Sequence, residues 1–146
     1  MDTQSTSTIS LAFGTIYLLQ ADIAEVLINE GVEMNLAIVE EFHQCLLDHL
    51  HAPFSLLVNK RNRYTYSYDA QGKLGNLPEI NAVAIVAYSR ISELATQSLL
   101  MFPREVEWNI QMFSDREQAF AWLKEQQQAL NSENLLIRDE VHSRCR

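Results

Sequence analysis

The sequence is poor in the residues that define several large classes of protein. Its 146 residues include only four Gly, three Pro and two Cys. The low Gly and Pro content excludes collagen-like chains and Gly/Pro-rich disordered chains, and so few cysteines cannot build a disulfide scaffold. We therefore expect a compact chain with reduced thiols, which fits a cytoplasmic protein.

Positive charge and long apolar runs are also scarce. The chain has 11 Lys and Arg against 19 Asp and Glu, a net charge of -8 and a pI near 4.9. Such a charge disfavours nonspecific binding to nucleic acid or to an anionic membrane. The most apolar early segment, 9–28, is interrupted by Gln20, Asp22 and Glu25. We expect no nucleic-acid partner and no membrane span.

The chain does contain enough apolar sequence for one core. Apolar residues make up 47% of it, and a chain of this length buries roughly 70% of its unfolded surface. The first residues are rich in Ser and Thr and lack positive charge. We predict one domain over residues 9–128, with a frayed N-terminus over 1–8 and a loosely held C-terminal tail over 129–146.

Short apolar runs predict the strands. Two β-prone runs at 15–19 and 23–28, joined by three residues, are typical of an antiparallel hairpin. Continuous apolar runs at 54–58 and 82–88 are typical of buried parallel strands. The intervening segment 59–76 predicts a loop, with one short helix as an option.

Helical periodicity fills the gaps between these strands. An apolar stripe predicts a helix from Asn35 that ends before Pro53, and a second amphipathic stripe runs from Ser89 to before Pro103. In both cases the proline ends the helical pattern.

A last strand and helix complete the pattern. Residues 106–113 alternate in part, and Ser114 with Glu117 has the form of a capping box. Phe120 and Trp122 then read as packing anchors. We predict an α/β fold with a mixed, mostly parallel sheet of about five strands, an N-terminal antiparallel hairpin and three to four helices.

Three segments carry a family resemblance, at residues 59–67, 81–89 and 111–123. Together they resemble SpoIIAA-like (STAS/SEC14-type) domains and, more closely, a small bacterial group of that fold. The resemblance spans residues 15–126 and implies one α/β domain. Because its positions are those of cores and caps, it implies architecture rather than activity.

The resemblance also raises a phosphorylation switch. STAS-type anti-sigma-factor antagonists carry a phosphorylatable Ser or Thr, usually preceded by Asp, where a helix follows a central strand. After Val58 this chain has no Asp-Ser or Asp-Thr pair there. Thr65 or Ser67 could cap a helix or accept a phosphate at its N-terminus. We favour capping and do not transfer the switch.

The same segment is a basic anomaly in an acidic protein. In an extended strand, alternation would place Arg61 and Arg63 with the hydroxyl residues on one face and the tyrosines on the other. This segment follows a parallel strand, where open α/β folds place ligands. Our candidate partner-binding or anion-binding residues are Lys60, Arg61, Arg63, Tyr64 and Tyr66. The alternative is a solvated loop whose tyrosines cover the core edge.

No constellation of catalytic or metal-binding residues emerges. Cys45 and His49 share a helix face at i, i+4, but two ligands do not make a zinc site. We expect Cys45 in the core and His49 at the helix edge. We therefore predict no metal, no cofactor and no enzymatic activity.

The leading hypothesis is a non-enzymatic regulatory or protein-interaction module that binds a protein partner and self-associates as a homodimer. The alternative is binding of a small apolar ligand or lipid, as in SEC14-type relatives, in a cavity lined by residues such as Leu94, Leu99 and Met101. The apolar run Leu135 to Ile137 predicts a tail that docks on the domain or across a dimer.

Overall fold

The computed structural model describes residues 7–101 and 109–144, with side chains described up to residue 130 in the last helix. The elements, in chain order, are β1 (Ser7–Leu11), β2 (Gly14–Gln20), β3 (Ile23–Ile28), β4 (Glu33–Met34), α1 (Leu36–His49), β5 (Phe54–Lys60), β6 (Thr65–Tyr66), α2 (Tyr68–Lys73), β7 (Ile80–Ala87), α3 (Arg90–Leu100), β8 (Ile110–Phe113) and α4 (Arg116–Arg144).

The main sheet confirms the predicted fold class. In the described part of the chain it has six strands in the order β1-β2-β3-β5-β7-β8. β1, β2 and β3 pair antiparallel, and β3, β5, β7 and β8 pair parallel. Within the described residues, four helices accompany this sheet. None of these helices has both the length and the apolar character that crossing a membrane requires.

The strand β1 is one that the sequence pattern missed. Residues 7 and 8, assigned above to a frayed N-terminus, belong to this edge strand. Ile9 pairs opposite Ile16 of β2, and Ile9 and Leu11 pack against the core. The strand therefore depends on pairing with β2, which a short Ser/Thr-rich run does not reveal by itself.

The helices divide between the two faces of the sheet. Val39, Phe42 and Leu46 of α1 pack with Leu56 and other side chains on one face, which we call the α1 face, and Ala70 of α2 belongs to the same cluster. On the opposite face, the α4 face, a smaller cluster joins Ile23, Leu57, Ala84 and Val86 of the sheet to Ala119 and Leu123 of α4. The central strand β5 serves both faces, because successive side chains of a strand point in opposite directions.

The described residues also form a second, two-stranded parallel sheet. β4 pairs with β6, with Glu33 opposite Thr65 and Met34 opposite Tyr66. The backbone N–H of Gly31 donates to the carbonyl of Arg63 at 2.7 Å just before this pairing. Gly31 has φ +81°, a left-handed conformation that glycine adopts without strain.

The last helix differs from its prediction at both ends. Asp115, not Ser114, precedes its first residue, and the Asp115 carboxylate accepts from the backbone N–H of Glu117 at 2.9 Å. The helix continues through Arg144, so the predicted boundary at residue 128 falls inside α4, as the boundary at residue 8 falls inside β1. The predicted docking of Leu135 to Ile137 lies outside the described side chains. Phe120 and Trp122 pack against the α4-face cluster, as expected.

A substitution at Gly14 tests how closely the backbones of β2 and β3 approach each other. A Cβ at this position would lie 2.6 Å from the carbonyl oxygen of Leu27, and backbone cannot move aside as a flexible side chain can. We expect Gly14→Ala to lower the free energy of unfolding by about 2 to 3 kcal/mol. Gly31→Ala, which meets no atom within 4 Å, should cost only the backbone strain, about 1 kcal/mol. Urea unfolding measures both, and equal stability of Gly14→Ala and the wild type would contradict this packing.

Candidate functional site

An apolar cavity of about 50 Å³ lies on the α1 face of the sheet. Its lining includes Met34 of β4, Phe42 of α1 and Leu99 of α3. The sheet side chains that line it are Val26, Ile28, Leu56, Val58, Val83 and Ile85. Apolar walls hold ordered water poorly, so the cavity suits an apolar group better than a polar one.

The cavity has a polar boundary at the carboxyl end of β5. The Lys60 ammonium lies 4.3 Å from the centre of the Tyr64 ring and 5.0 Å from that of Tyr66. Its Nζ donates to the Tyr66 hydroxyl at 3.4 Å, and that hydroxyl donates to the Tyr64 hydroxyl at 3.4 Å. The two rings meet edge to face with centroids 5.6 Å apart. Three polar heads therefore converge at one point of an otherwise apolar space.

Hydrogen bonds to the β3–α1 connection hold this boundary in place. The Asn62 side chain donates to the carbonyl of Ile28 at 2.9 Å, and the backbone N–H of Arg63 donates to the Glu30 carboxylate at 3.0 Å. The pairing of β6 with β4 continues this attachment on the far side of Tyr64. The tyrosines are thus positioned by backbone structure before any ligand arrives.

The charges at this boundary are unbalanced. Within the residues that the structure describes, no carboxylate forms an ion pair with Lys60, whereas Arg90 pairs with Glu93 and Arg116 with Glu25. Burial, and then the neighbouring Tyr66, raise the pKa of Tyr64 well above its usual value. Tyr64 therefore stays a neutral hydroxyl, and Lys60 is the charged group of the cluster.

His43 lines another part of the same cavity. Its Nε2 accepts from the backbone N–H of Gly75 at 3.1 Å, so Nδ1 carries the proton of the neutral ring. Burial lowers the pKa of His43 to about 4. The ring is thus uncharged at neutral pH, which leaves Lys60 as the one charged side chain among the residues described as lining the cavity.

An outer groove of about 380 Å³ adjoins the cavity. Lys60 and Tyr64 line both spaces and form the wall between them. The groove is bounded on one side by Glu30 and Arg63 and on the other by Ile91 of α3. A molecule in the cavity would therefore lie next to polar groups on the side that adjoins the groove.

The structure separates the predicted site residues into different places. Lys60, Tyr64 and Tyr66 come together, and Arg63 lines the outer groove beside them. Arg61 instead lies on the α4 side, in a groove with Glu25 and Arg116. Tyr68, expected beside the other tyrosines, is the first residue of α2 and is 78% exposed. The strand alternation expected over this segment fails because β5 ends at Lys60 and β6 begins only at Thr65.

The two hydroxyl candidates have different surroundings. Ser67 is the N-cap of α2, where its Oγ accepts from the backbone N–H of Ala70 at 3.3 Å. Capping is the role that the sequence analysis favoured. Thr65 is exposed in β6 and pairs with Glu33. Phosphorylation of either residue stays the less favoured alternative.

No protein-family model, no curated protein and no solved structure matches this chain. The SpoIIAA-like resemblance therefore stays a prediction. The site is accordingly interpreted from its own geometry and charge.

A buried ion pair on the α4 face was missed by the sequence analysis. Glu25 of β3 is 6% exposed. Arg116 binds its carboxylate in a bidentate manner, with Nη2 at 2.6 Å from Oε1, and Asn59 Nδ2 donates to it at 2.8 Å. Burial alone would raise the pKa of Glu25, but the hydrogen bonds from Arg116 and Asn59 lower it on balance. This pair attaches the start of α4 to the sheet.

Cys45 and His49 behave as the sequence analysis expected. Cys45 is buried in the core and His49 is exposed. The Cys45 Sγ lies 3.8 Å from Nδ1 of His49, but that nitrogen is also 2.9 Å from the carbonyl oxygen of Cys45. Burial, followed by the negative charges of Asp48 and Glu41, raises the pKa of the Cys45 thiol, which disfavours the reactive thiolate. Within the described residues, no group of three or more His, Cys, Asp or Glu side chains could hold a metal ion.

The titration of His43 gives a pH test of the cavity. The unfolded chain binds a proton to this histidine near pH 6.5, but the folded chain does so only near pH 4. Stability should therefore fall as the pH drops through this window, by about 2 kcal/mol after allowance for solvent screening. In His43→Gln, an amide oxygen can still accept from Gly75 but does not titrate.

Urea unfolding at several pH values between about 7 and about 4 measures this dependence. The variant should lose less stability than the wild type over that range, and Glu25 titrates in both proteins. The same pH dependence in variant and wild type would show that His43 does not titrate as its burial requires.

Proposed function

We propose that this protein is a non-enzymatic binding protein for a small apolar ligand, which occupies the cavity on the α1 face. The single observation that carries this proposal is the cavity itself, whose walls are apolar apart from His43 and the Lys60 cluster, which consists of Lys60, Tyr64 and Tyr66. Ligand sites are typically apolar concavities with a few convergent polar groups. The cavity changes the order of the two hypotheses that the sequence suggested, because it supports the ligand-binding alternative directly.

We retain the SpoIIAA-like assignment and a cytoplasmic location as parts of this proposal. Support for the assignment comes from the chain order of the parallel strands β3, β5, β7 and β8, which are linked in turn by α1, α2 and α3. Side chains of all three linking helices contribute to the α1-face core or to its cavity. The ligand would therefore lie beneath the crossover segments of the sheet.

The exposed side of α3 favours protein interaction as a second candidate function. Ile91 is 64% exposed, Leu94 is 47% exposed and Met101, which follows the helix, is 84% exposed. Ile91 lines the outer groove together with Arg63. An apolar strip beside a cation suits a protein partner that presents apolar and acidic side chains. A homodimer through the same strip is a variant of this candidate.

Titration of the full chain with propan-1-ol, whose short tail suits a cavity of about 50 Å³, tests the ligand-binding proposal. We expect saturable binding by calorimetry, because the alcohol places an apolar tail in the cavity. Val58→Phe narrows the cavity and should weaken this binding by at least about ten-fold. Leu19→Phe is the matched control, since Leu19 packs on the α4 face, and it should bind as the wild type does.

Native mass spectrometry of the same protein, purified without detergent, separates the two candidates. A stoichiometric small-molecule adduct supports ligand binding and should be lost in Val58→Phe. A protein without an adduct that also fails to bind propan-1-ol would contradict the proposal. A second copy of the chain in place of an adduct would favour the α3 surface instead.

A further inference from the structure

The chemistry at the boundary of the cavity specifies one end of the ligand. The proposed function requires only an apolar molecule, for which aliphatic walls would suffice. The boundary instead holds an ammonium and two phenolic hydroxyls that form a chain of hydrogen bonds. Lys60 donates to Tyr66, and Tyr66 donates to Tyr64. A chemical group that binds at this position must accept hydrogen bonds from these donors, which a hydrocarbon group cannot do.

The Lys60 ammonium has aromatic neighbours but lacks a counter-ion among the described residues. It is only partly exposed and lies over two tyrosine rings. Ring faces attract a cation but do not neutralise it. By contrast, the guanidinium of Arg116 on the opposite face is neutralised by the carboxylate of Glu25. On the α4 face, the Glu25 side chain supplies the anion beside the cation. On the α1 face, the described residues leave that place for an anion from outside the chain.

The geometry of the donors fits a carboxylate. Lys60 Nζ and the Tyr66 hydroxyl are 3.4 Å apart, so one oxygen placed about 2.8 Å from each can accept from both. The Tyr64 hydroxyl lies a further 3.4 Å away, within reach of the second oxygen of the same carboxylate. Hydroxyl protons rotate to suit their acceptor, so both tyrosines can turn from each other toward an anion.

The net charge of the side chains around Lys60 and the two tyrosine hydroxyls favours a ligand with one negative charge rather than two. The outer groove contributes Arg63, but also Glu30, whose carboxylate accepts from the Arg63 backbone. Lys60 and Arg63 together exceed Glu30 by one positive charge. Further inside the cavity, His43 is neutral and accepts from Gly75. The site thus has a single cationic end, which would orient an amphiphile with its tail inward.

We infer that the ligand is a short-chain monocarboxylic acid, whose carboxylate binds Lys60, Tyr66 and Tyr64 and whose tail lies in the cavity. This inference rests on the proposed function, because it places the tail in the same space. The cavity volume of about 50 Å³ is small, which selects a short tail. Lys60 supplies the charge, and the tyrosine hydroxyls select for a planar acceptor with two oxygens.

Propanoate and propan-1-ol separate the inference from the proposal on which it rests, since they share one tail length and are short enough for a cavity of about 50 Å³. Calorimetric titration of the full chain should show propanoate binding at least about ten-fold more tightly than propan-1-ol. Formate, which lacks the tail, should bind more weakly than propanoate. Propyl phosphate, whose head group carries more charge, should bind less tightly than propanoate.

Variants then assign the preference to the cluster. Lys60→Met keeps the apolar stem but not the charge, and should bind propanoate and propan-1-ol with similar affinity. Tyr66→Phe should weaken propanoate binding and leave propan-1-ol binding unchanged, which supplies a second test if Lys60→Met does not fold. Lys124→Met is the matched control, because Lys124 also lies over an aromatic ring, 4.6 Å from the centre of Phe120, on α4. It should keep the wild-type preference.

The outcomes are distinguishable. If neither propanoate nor propan-1-ol binds, the proposed function fails and the inference fails with it. If both bind equally in the wild type, the cavity binds ligands but the carboxylate inference is overturned. Tighter binding of propyl phosphate than of propanoate, or a preference for propanoate that survives in Lys60→Met, also overturns it.

Discussion

The parallel pairing of β5 on both of its sides is the constraint on which the rest of the structure depends. Leu57 lies between Glu25 of β3 and Ala84 of β7 in register, and side chains of a strand alternate between the faces of its sheet. This register sends Lys60 to the α1 face and Asn59 to the α4 face. A slip of one residue would exchange them, which would place a lysine against α4 and an amide in the cavity.

Polar contacts attach α4 to its face of the sheet at two points along the helix. The cavity lies on the opposite face. Near the start of α4, the half-exposed Arg116 binds the carboxylate of Glu25, which would otherwise be an unpaired buried charge. About three turns further along the helix, Gln127 accepts from Ser55 at 2.6 Å and donates to Asp22 at 2.8 Å. Lys60 and Arg61, adjacent in sequence, therefore serve different faces: one borders the cavity and the other the ion pair.

Local patterns predicted most of the fold but only part of the site. The apolar runs of β5 and β7 were sufficient to predict buried parallel strands, because an apolar side chain needs no specific hydrogen-bonding or charged partner when it is buried. Alternation along one extended strand would place Lys60, Tyr64 and Tyr66 on one face. These three residues do come together, but for another reason, because the chain leaves β5 at Lys60 and is then held by the pairing of β6 with β4. Glu25 was missed because its partner Arg116 lies 91 residues away, and only the packed tertiary structure brings them together.

Methyl-resolved NMR during a propanoate titration tests the central claim, that one face of the sheet holds the ligand, most directly. Val58 and Ile85 line the cavity, whereas Leu57 and Leu123 belong to the α4-face cluster. The account predicts saturable shifts of the Val58 and Ile85 methyl resonances, while those of Leu57 and Leu123 remain unchanged. Shifts confined to Leu57 and Leu123, or spread equally over the four residues, would contradict it.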